Sequence, residues 1–546
     1  MELKMKSIER GDGRPWPSRL TSILVFATCL LVGSLVSVHM GADFNWDLQN
    51  YHLYNPFAFL TGRIGRDLMA AGPQSYLNPL LDIPFFLSWT TWFHARPWVT
   101  AFLAGLPYGV AIFLTLCIAT SIFSSEGERR PLEVVVAAVI GATGTVSVSE
   151  VGTTFNDISI AVLILGALLV DLRRLGLKPV SGFAGGVLLG IAAGLKMTAF
   201  IFAPGYALAV MSSRSNWRAA ITGALWVSSG WLLGYLAAGG WWAWKLYGLF
   251  GNPIFPMFNH AFHSTWLIDH GRDLRFMPHG VLQTLFYPFY WMAGERHVTE
   301  VPMRDPRFAL AYVSSVVVAF GLWRSSLASA KRRSVDAPPA QRKRALFLLV
   351  FVAVSFVIWQ IMFSIARYMV ALELLTGVLI VLAIQWLCQS AMTQPTAQRA
   401  TTVVAALVAM CASAVSLPMD WGRIQFQYVP PLVDSRITLP DQATVLVVGS
   451  PIAFVLTFIR SADSSFISID GNSGSLPKDS PAAQFIQMKL SRLRGANNWV
   501  LTNGAIGAAD NLVGPYGLRV YEQSCRTIRQ SPQPNIQLCA LVRSVP

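Results

Sequence analysis

The chain has 546 residues, of which 53% are hydrophobic, 12% aromatic and only 13% charged, and its mean hydropathy is positive. Apolar runs near 20 residues recur along it, the length a helix needs to cross a hydrocarbon core ~30 Å thick, which excludes a soluble globule. No ten-residue alternation points to a barrel, and the net charge of +14 falls in short loops between the runs. That is the positive-inside pattern and not a nucleic-acid-binding face.

In chain order, Met1 to Arg19 carries Lys4, Lys6, Arg10, Arg14 and Arg19 ahead of an apolar segment at 20–40. The segment is long for a signal peptide and lacks an Ala-x-Ala-type cleavage site, so a retained first helix with a cytoplasmic N-terminus is expected. Further spans read as 98–123, 133–148, 158–172, 180–198, 199–212, 219–240, 308–323, 345–363, 367–388 and 400–417. The fold class expected is a polytopic α-helical membrane protein of about 11–13 transmembrane helices. Residues 1–19 form a cytoplasmic tail and 20–417 the membrane domain. Basic loops at Arg129–Arg130, Arg173–Arg174, Arg214–Arg218, 324–344 and Arg399 are placed in the cytoplasm. Alternation then puts 41–97, 149–157, 241–307, 364–366 and everything after 418 on the outer face. Residues 80–93 read as interfacial or re-entrant. Counted as a full span they reverse every later loop, unless another short run such as 133–148 is only half-inserted.

From 418 the composition changes to short β-rich runs, 444–449, 498–502, 517–521 and 536–542, separated by Gly, Ser, Asn and Pro turns. About 125 residues suffice for a small domain, so 418–546 is expected to be an extracytoplasmic α/β domain. Of the six cysteines, four lie in apolar runs as packing residues. Cys525 and Cys539 lie in the polar tail and are positioned to pair if that tail is outside the cytoplasm.

The candidate chemistry concentrates in 39–86, where Asp43, Asp47, His52, Arg63, Arg66, Asp67, Asn78 and Asp82 follow the first span among aromatics. Charges are costly in lipid and belong at the interface or in a wet cavity. Asp47, a few residues past the span, is the first choice for a general base, with its carboxyl expected to be raised by aromatic surroundings. The alternative is a helix cap. Asp43, four residues earlier, would share a helical face with it as a second carboxylate or metal ligand. Tyr51 and His52 line the same stretch, Asn78 and Asp82 a turn into the next segment, and Arg63 with Asp67 a local ion pair. Asp157, beside Glu150, starts a helix after an outer loop and is either catalytic or a cap. Lys196 ends an apolar helix on the outer side, where an ammonium can hold a phosphate or simply snorkel. Arg367–Tyr368 opens a late helix, and Arg367 either grips phosphate or pairs with Glu373. Asn252, in a Pro- and aromatic-rich outer loop, either walls a groove or is structural. No Cys-x-x-Cys or His-Glu-x-x-His spacing marks a metal site.

Taken together, Trp46-Asp47-x-x-x-Tyr51, the loop leading to Asn78-Pro79, the helix end Gly190-x-x-x-Gly194-Leu195-Lys196 and Arg367-Tyr368 resemble the GT-C superfamily of polyprenyl-phosphate-sugar-dependent membrane glycosyltransferases, of the protein mannosyltransferase and aminoarabinose transferase kinds. Two departures stand out: Asp47 is followed by Leu48 where many members have a second acid, and Asn78-Pro79 replaces a charged-Pro pair. The resemblance implies a multi-pass protein of a bacterial-type inner membrane. It would take a sugar from a polyprenyl phosphate to a glycolipid, polysaccharide or protein acceptor, with inversion, Asp47 as base, and Lys196 and Arg367 on the departing phosphate. No cofactor is implied beyond a divalent metal that some relatives use and others do not. The rival readings are a lipid or oligosaccharide transporter or flippase, and a polysaccharide polymerase or ligase using His260, His263, Arg272 and Arg275.

Overall fold

The structure, a computed structural model, describes residues 19–123, 130–174, 181–266, 273–330, 339–428, 437–469, 480–491, 497–528 and 536–544. The N-terminal basic tail, Lys178, Arg272 and most of the 324–344 basic cluster's loop lie outside them. Seven helices are long and apolar enough to cross a bilayer: Arg19–Met40, Pro97–Phe123, Trp217–Phe250, Arg307–Ser326, Ala340–Met362, Ala366–Ala391 and Gln394–Val415. Between them pack the shorter helices Pro131–Ala142, Asp157–Arg174, Ser181–Leu195 and Phe202–Ser212. The bundle is the polytopic α-helical fold expected, with seven helices of spanning length among the described residues.

Ala366–Ala391 is the axis, buried along most of its length, whereas Arg19–Met40 and Gln394–Val415 turn apolar faces outward. Close approach of backbones is built from glycine. Gly182, Gly186, Gly190 and Gly194 recur every fourth residue on one helix face, and a methyl group on Gly194 would lie 2.8 Å from Gly239 N while one on Gly190 would run into Trp231 O. Small residues at this spacing let membrane helices touch main chain to main chain. The register fixes the end of Ser181–Leu195, and with it Lys196. Gly190→Leu is therefore expected to lower the melting temperature in detergent and to reduce substrate affinity along with it. A melting curve matching wild type would show that the contact does not matter.

The 80–93 segment does not cross. It forms Ile83–Leu87 and a π-turn at Ser88–Trp92, about ten residues rising ~15 Å at 1.5 Å each, half of what a bilayer requires. The next span begins at Pro97. Loops 41–96, 151–156 and 251–306 and the chain beyond 416 consequently gather at one end of the bundle, where Ala42 bridges to Ile424 and Arg304 to Leu417.

At that end stands a six-stranded sheet in the order Ser465–Ser468, Thr444–Val448, Asn498–Thr502, Ile536–Arg543 and Leu518–Val520, with Arg526–Ile528 also on Ile536–Arg543. The first three strands are parallel, and Ile536–Arg543 runs antiparallel to its neighbours. Four strands lie where the β-rich runs placed them; Ser465–Ser468 and Arg526–Ile528 had no such run. Cys525 and Cys539 form a disulfide across this part of the sheet. The sheet shares its hydrophobic core with the first loop, Leu48, Leu53, Tyr54, Ile64 and Leu68 packing with Val445, Leu446, Phe454 and Phe466. Leu68 N donates to Phe466 O (2.9 Å) and Ser468 N to Leu68 O (3.0 Å), so the loop covers an otherwise open strand edge. Beneath it Arg63 pairs with Asp67 (2.8 Å) and lies over the Phe466 ring at 4.0 Å. The boundary at 418 thus divides the chain but not the core.

Candidate active site

The five residues Thr153–Asp157 connect two spans, and four of their side chains or carbonyls each secure a different part of the site. Asn156 has φ +66°, a left-handed conformation that Asn tolerates better than most residues. It turns the chain into the span that opens at Asp157. Thr154 N and Oγ1 donate to Asp43 Oδ2 (2.8 and 2.9 Å). Asn156 Nδ2 donates to Asp82 Oδ1 (2.7 Å). Phe155 O accepts from Lys196 Nζ (2.8 Å), which also pairs with Asp157 Oδ1. The Phe155 ring lies under the Arg367 guanidinium at 4.3 Å.

Asp47 begins a π-helical turn, Leu48–His52. Its Oδ2 accepts from Arg367 Nη1 (2.8 Å) and from Tyr51 Oη (3.0 Å), with both ion-pair partners about one-seventh exposed. The expected raised carboxyl is corrected here. Burial does push it up, but Arg367 and His52 nearby and the bonds from Arg367 and Tyr51 outweigh burial and hold it below the usual range. Asp47 is an ionised acceptor whose Oδ1 carries no bond to protein among the described residues.

Lys196, Asp157 and Tyr368 complete the cluster: Lys196 Nζ sits 5.4 Å above the Tyr368 ring. Asp157 and Tyr368 also border a small pocket, with room for about one water molecule, whose other walls include Ile160, Ile164, Phe202 and Val370. Asp157 thus joins the ionic cluster to a small, mostly apolar pocket. Asp157 Oδ2 is buried without a hydrogen-bond partner among the described residues.

Of the residues singled out by sequence, Asp47, Tyr51, His52, Asp82, Asp157, Lys196, Arg367 and Tyr368 come together here. Three do not. Asp43 does not share a helical face with Asp47, because 41–45 are not helical; its two oxygens are filled by Asn45 and Thr154, making it a brace between loops. Asn78 spends its amide on Gly194 O (2.9 Å) and Ala238 O (3.1 Å) and ties the first loop to two helix ends. Asn252, fully buried, closes its own turn onto Met257 O and Ile254 N. Glu373 is not the partner of Arg367. It accepts from Val146 N and Ser147 N (3.0 and 2.6 Å) and caps the short helix Thr145–Glu150. In the rival loop, Arg275 is held by Asp273 (2.7 Å) at an exposed position.

Sequence reasoning passed over Asn156 and gave Glu150 only a mention. Glu150 is 2% exposed, and neither of its carboxyl oxygens has a hydrogen-bond partner among the described residues. Burial, then the neighbouring Asp157, push its carboxyl well above the usual range against the smaller opposing pull of Lys196 and Arg367. A carboxyl whose proton is held more tightly in the folded state stabilises below its unfolded value, and that contribution is lost as pH rises through the folded value. Glu150→Gln is therefore expected to melt increasingly above wild type as pH is raised from about 5 to 8. Parallel melting curves across that range would rule the effect out.

Among the described residues no group of three or more His, Cys, Asp or Glu is placed to hold a metal ion.

A model of glycosyltransferase family 87 matches residues 77–263, about a third of the chain, from the turn at Asn78 through Asp157 and Lys196. The fold is similar to the crystal structure of ArnT from Cupriavidus metallidurans bound to undecaprenyl phosphate, at 11% identity, TM-score 0.50, over 96% of this chain and 98% of that one. The fold of the chain is thus that of a polytopic membrane protein similar to ArnT, with a stretch similar to glycosyltransferase family 87. The apo state of the same ArnT aligns at 12% identity and TM-score 0.49 over 95% and 98%. No curated protein matches the sequence. At such identities the likeness to ArnT is one of fold, and the roles of residues in this chain rest on its own geometry.

Proposed function

We propose that the chain is an integral-membrane glycosyltransferase of the GT-C superfamily, moving a sugar from a polyprenyl-phosphate donor to a hydroxyl of an envelope acceptor, a glycolipid, polysaccharide or protein, with inversion. The observation that carries the reading is the pair of carboxylate–cation couples, Asp47–Arg367 and Asp157–Lys196, gathered at one end of a bundle of apolar helices. A lipid-linked phosphosugar has the matching anatomy, an apolar chain and an anionic headgroup at the membrane boundary. ArnT, whose fold this chain shares, was crystallised with undecaprenyl phosphate.

In this reading Asp47 Oδ1 draws the proton from the acceptor hydroxyl. The hydroxyl oxygen bonds to the anomeric carbon on the face opposite the phosphate. The bond from that carbon to the phosphate oxygen breaks, and its electron pair leaves on the phosphate. Arg367 and Lys196 offset that charge; each currently faces a carboxylate and re-aims when phosphate enters. No divalent cation is assigned a step, because Asp43 is filled by protein donors and Asp47 and Asp157 each face a cation.

The site end of the bundle is the extracytoplasmic one in this proposal, with the protein in a bacterial-type inner membrane and its N-terminus in the cytoplasm. Arg214, in a connection, and Arg218 and Arg399, near the starts of their helices, stand at the opposite end, as the positive-inside rule asks. The Cys525–Cys539 disulfide stands at the site end, as an oxidising compartment allows.

The test is transfer by the purified protein in nanodiscs from a panel of radiolabelled polyprenyl-phosphate sugars to membrane glycolipid extract. Label appearing on the acceptor is expected. Movement of labelled lipid across the bilayer with no transfer would instead make the protein a transporter.

A further inference from the structure

His52 closes the π-turn that Asp47 opens. The i→i+5 repeat of such a turn brings residue 52 round to the side of residue 47, and single π-turns of this kind are frequent at functional sites. Tyr51 joins the two: its hydroxyl donates to Asp47 Oδ2, and its ring lies 4.1 Å from the imidazole. His52 Nδ1 is 2.8 Å from Asp82 Oδ1, and Asn156 Nδ2 reaches the same oxygen at 2.7 Å. An imidazole that gives its Nδ1 hydrogen to a carboxylate is left with a lone pair on Nε2. That Nε2 is buried and has no hydrogen-bond partner among the described residues. The ring is 6% exposed, so water does not readily take the place of a partner. A strut would use both nitrogens; this ring is held by one so that the other stays open. The charged groups around it are Asp82 and the two couples Asp47–Arg367 and Asp157–Lys196.

We propose that His52, oriented by Asp82 and Asn156, is the group on which the acceptor's hydroxyl proton ends. This rests on the transfer reaction proposed above. The acceptor oxygen bonds to the anomeric carbon, the carbon–phosphate-oxygen bond breaks with its electron pair on the phosphate, and the proton drawn towards Asp47 settles on His52 Nε2. The resulting imidazolium faces Asp82. Asp47, engaged by Arg367 and Tyr51, polarises the hydroxyl; His52 retains the proton until product leaves.

The experiment is steady-state transfer by full-length protein in nanodiscs for His52→Gln, His52→Asn and Asp82→Asn, with a melting curve for each. Gln and Asn keep hydrogen-bonding capacity but take up no proton. Both His52 variants are expected to lower kcat by about 10²-fold or more, in the range of general-base deletions, with the donor KM within about threefold. Asp82→Asn is expected to give a smaller loss of kcat at the same KM. A kcat within about threefold of wild type for either His52 variant overturns the proposal, as does a rise in KM with kcat unchanged. If both His52 variants melt far below wild type, Asp82→Asn decides: reduced kcat supports the proposal and unchanged kcat overturns it. Wild-type protein that transfers no sugar sinks the glycosyl-transfer reading and this proposal together. Wild-type transfer that is insensitive to all three substitutions sinks this proposal alone.

Discussion

Asp47→Asn is expected to lower kcat for sugar transfer by about 10²–10⁴-fold, the range for removing a positioned proton acceptor, while donor binding survives. Asn keeps the shape of the side chain and can still accept from Arg367 Nη1 and Tyr51 Oη through its carbonyl, so the turn at Leu48–His52 should stay in place. What is lost is the negative charge that draws the hydroxyl proton. The same substitution leaves the Arg367 guanidinium, stacked on Phe155 at 4.3 Å, without its counter-charge, so the phosphate end of the donor should bind at least as well as before. The diagnostic result is therefore a collapse of kcat at an unchanged or lower donor KM. Turnover within a few-fold of wild type would remove Asp47 from the chemistry and shift attention to Asp157, whose Oδ2 faces no partner among the described residues.

The largest stability effect is expected far from any substrate, at Arg307. Both Arg307 and Asp305 are 0% exposed. Asp305 accepts from Arg307 N and Nη1 and from Thr145 N and Oγ1 (2.9–3.1 Å). Arg307 reaches on to Ser416 (2.8 Å), Thr143 (3.0 Å) and Ser413 (2.9 Å). One guanidinium thus ties together the start of its own span, the end of Gln394–Val415 and the cap of Thr145–Glu150. Arg307→Met is expected to cost about 3–5 kcal/mol, because removing one partner leaves a buried, uncompensated carboxylate. The double variant Arg307→Met/Asp305→Asn should recover a large part of that loss, since no bare charge then remains. Thermal melting in detergent reads both. A double variant as unstable as the single one would show that the lost hydrogen bonds, not the stranded charge, set the cost.

Much of this protein was legible in one dimension because the bilayer imposes a simple rule. A span must be long and apolar, and the runs at 20–40, 98–123, 345–363 and 367–388 announce themselves by length alone. Asp47, Lys196 and Arg367 were visible for the complementary reason: a charge at the end of such a run is expensive and calls for an explanation. The same reasoning failed for Asp43, Asn78 and Asn252, which have the right residue types in the right loops. Each spends its hydrogen bonds on main chain or on a neighbouring loop, and no local pattern reveals where those partners lie. Asn156 went unnoticed because its contribution is a backbone conformation and one amide aimed at a residue 74 positions earlier.

By itself, then, the sequence determined the class of the protein, its long spans, four of the six strands of its terminal sheet and the stretch where chemistry concentrates, since all of these follow from local hydropathy and the cost of burying charge. Tertiary structure alone decided the pairings. It set Arg367 on Asp47 across 320 residues, placed Glu373 on a helix N-terminus, and joined the first loop to the C-terminal sheet in one core. It also left His52 with one nitrogen bound and the other open. Pairings of this kind depend on which distant surfaces the packed helices bring within about 3 Å of each other, the reach of a hydrogen bond, and nothing in a linear chain measures that distance.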